Sequence, residues 1–183
     1  MYNVADKTLT VEDYLAFEAA SETRHEYVSG TLHAMAGDTR QQNRIAGNIS
    51  VHFWNLAQEK PCFVYQEGMK LRASETVFYY PDVMVTCNKP EPDPYFDTEP
   101  CILVEVLSRS TKDIDLREKL VAYQSLPSVQ LYLIVDSERL AIKEYYRDAD
   151  GVWQYQELTG SGDINLPCLG GTLSLQQIYR NIF

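Results

Sequence analysis

Cys101-Ile102-Leu103-Val104-Glu105-Val106-Leu107 is a nearly continuous apolar run interrupted by one acid. Such a run reads as a strand buried on both faces, the kind found in sheets covered by helices. An ionised carboxylate in a strand of this type is costly to bury unless it has a partner. Glu105 also falls near the C-terminal end of its strand, a few residues before the next helix, where open α/β sheets place their sites. The bland alternatives are a glutamate turned to solvent at the strand end, or one paired to an arginine. Burial of an ionisable group favours a functional role over both.

Working outward, Ser108 to Thr111 offers capping hydroxyls for a helix running to about Leu126, with Leu116, Leu120 and Tyr123 on one side. Pro127 stops it. Leu131 to Val135 is a second core strand. Leu140 to Tyr146 and Val152 to Leu158 form a hairpin around Asp150-Gly151. A short helix covers Ser174 to Tyr179. On the N-terminal side, Asn88 to Pro100 carries four prolines among acids and reads as an irregular surface excursion, a candidate lid. Two strands precede it, Cys62 to Arg72 and Phe78 to Cys87. Gln41 to Ala57 is an amphipathic helix with Ile45, Ile49, Phe53 and Leu56 at helical spacing. His25 to Ala36 reads as a hairpin about Ser29-Gly30, and Thr10 caps a helix to Ala20. The order is αββαβββαβββα. It predicts an α/β (mixed α+β) fold, a mixed central sheet flanked by helices, with residues 1–183 as a single domain.

The 183 residues are enough to bury a sizeable core, and 45% apolar with 23% charged residues describes a globular chain. No apolar run approaches a bilayer span, and the start shows no basic segment followed by an apolar one, so no secretory signal is expected. Cys62, Cys87, Cys101 and Cys168 form no C-x-x-C pair and sit in apolar segments; buried, reduced thiols in a cytoplasmic protein are the expectation. The net charge of −10 argues against a simple nucleic-acid binder, which relies on lysine and arginine. A carboxylate-rich enzyme that recruits a cation can carry such a charge.

Asp82 follows Tyr79-Tyr80-Pro81 and precedes Val83-Met84-Val85. Alone, it reads as a Pro-Asp turn leading into a strand. Paired with Glu105 on a neighbouring strand, it becomes half of a hard oxygen site suited to magnesium. Lys119 borders the buried face of the helix after Glu105; the alternative is an i,i+4 pair with Asp115. Glu26, in His25-Glu26-Tyr27, is either a surface glutamate or a third acid.

Taken together, Glu26-Tyr27-Val28-Ser29-Gly30, Tyr80-Pro81-Asp82-Val83, Val104 to Thr111, Asp115, Lys119, Tyr123 and Tyr132 to Asp136 resemble the Uma-type restriction-endonuclease family of the PD-(D/E)XK nuclease superfamily. The resemblance runs from about Leu9 to Ile178. It implies a restriction-endonuclease-like fold and magnesium-dependent phosphodiester cleavage. The leading reading is a DNA endonuclease that uses magnesium, or manganese in its place, and works on duplex DNA as a homodimer or higher homo-oligomer. It further implies that Asp82, Glu105 and the Val106 carbonyl hold the metal, that Lys119 orients or activates the attacking water, and that Glu26 is the acid from the N-terminal region. Two positions depart from the pattern. Leu107 stands where the superfamily lysine normally sits, and Gln42 stands where relatives often carry a histidine. Two other readings stay open: a nuclease-fold protein that has lost cleavage and serves in nucleic-acid binding or assembly, and a metal phosphoesterase for a small substrate.

Overall fold

The structure, a computed structural model, describes residues 8–88, 93–107 and 115–183, with side chains from residue 117 onward in the last segment. The first elements are α1 (Val11–Ala20), β1 (His25–Val28), β2 (Thr31–Ala34) and α2 (Arg40–Ala57). The middle of the chain forms β3 (Phe63–Gln66), β4 (Lys70–Ser74), β5 (Val77–Tyr79), β6 (Val83–Thr86), β7 (Phe96–Asp97) and β8 (Ile102–Leu107). Then come α3 (Asp115–Ser125), β9 (Leu131–Asp136), β10 (Ala141–Arg147), β11 (Trp153–Thr159), β12 (Asp163–Asn165), β13 (Thr172–Ser174) and α4 (Leu175–Ile178).

A six-stranded sheet runs β11-β10-β9-β8-β6-β3, and a five-stranded sheet runs β2-β1-β5-β4-β7. The apolar run at Ile102–Leu107 is central in the larger sheet and buried at every position, as is Leu131–Asp136 beside it. The two are parallel, with Glu105 opposite Ile134. Alternation along β8 sends its residues to two cores. Ile102, Val104 and Val106 pack with Ile45, Ile49 and Phe53 of α2 and with the C-terminal Leu173 and Ile178. Leu103 and Leu107 pack on the other face with Tyr123 of α3, Tyr132, and Leu71 and Tyr79 of the smaller sheet. Tyr123 meets Tyr79 and Tyr132 edge-on, at centroid distances of 5.7 and 5.0 Å. Tyr14 of α1 stacks on Tyr27 in a third cluster with Phe78.

Several expectations are revised. Cys62 to Arg72 is two strands in different sheets, because Glu67 and Gly68 take left-handed backbone angles (φ 46° and 84°) and turn the chain. Phe78 to Cys87 is likewise divided at Tyr80-Pro81-Asp82, where proline has no N–H for a ladder. Part of the Asn88 to Pro100 stretch is regular after all: Phe96–Asp97 pairs in parallel with Lys70–Leu71. The short β12–β13 hairpin, too polar to announce itself, adds another pairing. The proposed capping of α3 by Ser108 to Thr111 lies outside the described residues.

The cysteines also depart from expectation. They are not reduced thiols: Cys62 is bonded to Cys87 and Cys101 to Cys168. The register explains the first bridge, since Phe63 pairs with Thr86 and the residues one step outward are the two cysteines. The second ties the start of β8 to the loop before β13. Spacing along the chain carries no sign of either pairing. Among the described residues, no helix is long and apolar enough to cross a membrane.

Candidate functional site

Asp82 and Glu105 meet because of strand register. Val83 of β6 pairs with Val104 of β8 in antiparallel fashion, so the next step outward sets Asp82 opposite Glu105 on the α3 face. The turn holding Asp82 is fixed from both sides. Its carbonyl accepts from the Glu67 N–H at 3.1 Å, and its carboxylate Oδ2 accepts from the Val106 N–H at 2.5 Å.

Lys119 reaches the same point from α3. Its Nζ lies 3.2 Å from Glu105 Oε1 and 2.8 Å from Glu26 Oε1. The Tyr123 hydroxyl, one turn further along α3, donates to Glu105 Oε1 at 2.8 Å. Glu26 of β1 also accepts from the Tyr80 N–H at 3.2 Å. Glu105 and Lys119 are each only 4% exposed. Leu107 is buried in the apolar cluster with Tyr123, and the ammonium beside Glu105 comes from α3.

Gln42 makes a contact that sequence reasoning missed. Its Nε2 donates to the Val106 carbonyl at 3.1 Å, while its Oε1 accepts from Thr39 at the N-cap of α2. Thr39 and Gln42 have the spacing of a capping box, a legible signal. The reach to Val106 was not legible, because it spans two elements distant in sequence.

Burial pushes Asp82 up to about 7, helped by Asp38 and Glu67 and opposed by the Val106 N–H and Lys119. Burial likewise pushes Glu105 up to about 8; Asp82 and Glu26 add to the rise, while Lys119 and the Tyr123 hydroxyl oppose it. Asp38 is raised by burial and by Glu67. The common cause is too much negative charge in too little water. These groups border a cavity of about 350 Å³ lined by Glu26, Gln42, Tyr80, Asp82, Glu105 and Lys119 and walled by Met35 to Thr39. The same Met35 to Thr39 segment separates it from a groove of about 580 Å³ carrying Arg24, Arg40 and Asn43 alongside Glu22, Asp38 and Glu67.

No cluster of three or more His, Cys, Asp or Glu side chains is spaced for a metal among the described residues. The set on offer is two carboxylates and the Val106 carbonyl. Asp82 Oδ1 and Glu105 Oε2 have no protein donor among the described residues, since the bonds above engage Oδ2 and Oε1. Hard oxygen donors under mutual repulsion fit a divalent cation such as magnesium.

Uncharacterized protein slr1290 of Synechocystis sp. is 32% identical over 176 residues, covering 95% of this chain and 93% of the relative. Uncharacterized protein sll1609 of the same organism is 29% identical over 161 residues, covering 84% and 89%. A crystal structure from Anabaena variabilis, titled "a putative nuclease belonging to DUF820", superposes with a TM-score of 0.79 at 12% identity, covering 96% of this chain and 99% of that one. It shares the fold. The Uma2 family model, described as "Putative restriction endonuclease", matches residues 11–176, and the chain belongs to that family.

Proposed function

We propose that this protein is a magnesium-dependent endonuclease that hydrolyses phosphodiester bonds in DNA. The observation that carries the reading is the buried constellation itself: Asp82, Glu105 and Glu26 converge with Lys119 on one cavity at the end of β8. Structural ion pairs need no cavity and no surplus of acid.

Asp82, Glu105 and the Val106 carbonyl are the residues that would hold the metal. When bound, magnesium supplies a Lewis acid that polarises the phosphate and acidifies water. The rest is done by the chain. Lys119 Nζ, anchored between Glu26 and Glu105, orients the attacking water and counters charge building on the phosphate oxygens. Tyr123 keeps Glu105 in place through its hydroxyl. Gln42 holds the Val106 carbonyl, and the N–H of the same residue holds Asp82. A homodimer or higher homo-oligomer would present one such site to each strand of a duplex.

A second reading, a nuclease fold without cleavage, draws support from the net charge of −10 and from Glu22, Asp38 and Glu67 in the adjoining groove. Plasmid nicking separates the two. We expect slow conversion of supercoiled to open-circle DNA in magnesium or manganese at low salt, because salt weakens the lysine and arginine contacts to phosphate, of which this acidic chain has few to spare. Calcium should support binding without efficient cleavage. Activity should vanish in Asp82→Asn and Glu105→Gln. Metal-dependent DNA binding with no cleavage of any nucleic acid would favour the second reading instead.

A further inference from the structure

Helix α1 supplies nothing to the cavity directly, yet it buries a carboxylate behind it. The Glu18 side chain is 4% exposed. Its Oε1 accepts from the His25 N–H at 2.9 Å and from the Tyr80 hydroxyl at 2.8 Å. Its Oε2 lies 3.1 Å from His25 Nδ1. The Tyr14 hydroxyl, one turn earlier on the same helix, donates to the His25 carbonyl at 2.9 Å. A buried carboxylate of this kind is seldom the most stable choice for its position; apolar residues of similar volume are often equal or better.

What the two anchored residues have in common is their neighbours. His25 immediately precedes Glu26, and Tyr80 stands two residues before Asp82, with Pro81 between. The two segments also touch each other, through the Tyr80 N–H on Glu26 Oε1. One carboxylate thus fixes the pieces of backbone that present two of the site's acids.

We propose that Glu18 and Tyr80 are positioning residues: the Glu18–Tyr80 bond sets where Glu26 and Asp82 stand relative to Lys119 and Glu105. The inference rests on the acid constellation being the functional site. Its direct consequence, however, is structural and can be read without metal or substrate. The Val106 N–H reports the position of Asp82, and the Tyr80 N–H reports that of Glu26.

The test is amide hydrogen exchange at Val106 and Tyr80 in labelled protein, alongside calorimetric titration with manganese. The variants are Tyr80→Phe, Glu18→Ala and Glu18→Gln. Asp13→Ala is the control, because it breaks the α1 capping box without touching the site. Tyr80→Phe and Glu18→Ala should speed exchange at both amides by roughly tenfold, the size expected from loss of a buried bond to a charged acceptor. Manganese affinity should fall by a similar factor. Glu18→Gln keeps an oxygen for the Tyr80 hydroxyl and should restore protection, and Asp13→Ala should leave both amides as they were. Should Glu18→Ala fail to fold, Tyr80→Phe decides alone. The proposal is overturned if Tyr80→Phe moves the two amides no more than Asp13→Ala does. Wild-type protein that takes up no manganese would count against the nuclease reading, while the amides would still decide the positioning.

Discussion

Lys119→Met should lower the unfolding free energy by about 3–5 kcal/mol near pH 8, the usual consequence of removing one partner from a buried ion pair. Lys119 is in contact with both Glu105 and Glu26, and all three side chains are largely withdrawn from water. Without the ammonium, two glutamates and Asp82 repel one another in a medium that solvates them poorly. The loss should shrink toward pH 5, well below the values to which burial raises Asp82 and Glu105, where both carry protons and their charge is gone. Urea unfolding at the two pH values is the measurement, with Glu118→Ala, at an exposed position on the same helix, as the control. A Lys119→Met midpoint equal to that of Glu118→Ala at pH 8 would mean that the lysine does not neutralise the acids.

Metal-free protein should lose stability as pH rises, by on the order of several kcal/mol across the range from about pH 4 to pH 8. The sign follows from where the protons sit. Asp82 rises from 3.8 to about 7 and Glu105 from 4.5 to about 8 on folding. In that window the folded chain keeps protons that the unfolded chain has released, so each step up in pH favours unfolding. The contribution is fully favourable below the unfolded values and is gone above the folded ones. Glu105→Gln should flatten this slope. A divalent cation should reverse it, because binding requires both carboxylates ionised and so releases protons. The thermal shift produced by manganese should therefore be larger at pH 8.5 than at pH 6. Equal shifts at both values would indicate binding elsewhere on this acidic surface.

How much of this was legible in the sequence depended on whether the deciding interaction was local. Glu105 stood out because it is the lone charge in an apolar run, and the strand is buried throughout. Lys119 could be picked out by its apolar neighbours on α3. Asp82 was ambiguous alone; only the idea of a second acid nearby raised it above a turn residue, and the register of β6 against β8 provides that proximity. The interior status of Glu26 had no local sign at all. It comes from Tyr80 and Lys119, which arrive from other elements. Glu18 was hidden for the same reason, since an exposed-looking helix gives no notice of a tyrosine reaching back to it.

The fold shows the same division. Apolar periodicity located α2, β8 and β9 well. It overran the breaks at Glu67-Gly68 and Pro81, because alternation on either side of each turn continues as though the strand were unbroken. The disulfides were out of reach. Four scattered cysteines allow three complete pairings, and only the β3–β6 register and the path of the C-terminal segment select between them.

The central claim, that Asp82 and Glu105 hold a divalent cation, is tested most directly by titrating manganese at pH 8.5 into wild-type protein, Asp82→Asn and Glu105→Gln with calorimetric detection. Wild type should bind with release of protons. Both variants should bind more than ~10-fold more weakly, since even partners behind the ligands commonly carry 10–100-fold in metal affinity. Their unfolding temperatures without metal should be equal to or above that of wild type, because each removes a charge that burial disfavours. Manganese binding as tight in Asp82→Asn as in wild type, or no binding to wild type at all, would contradict the account.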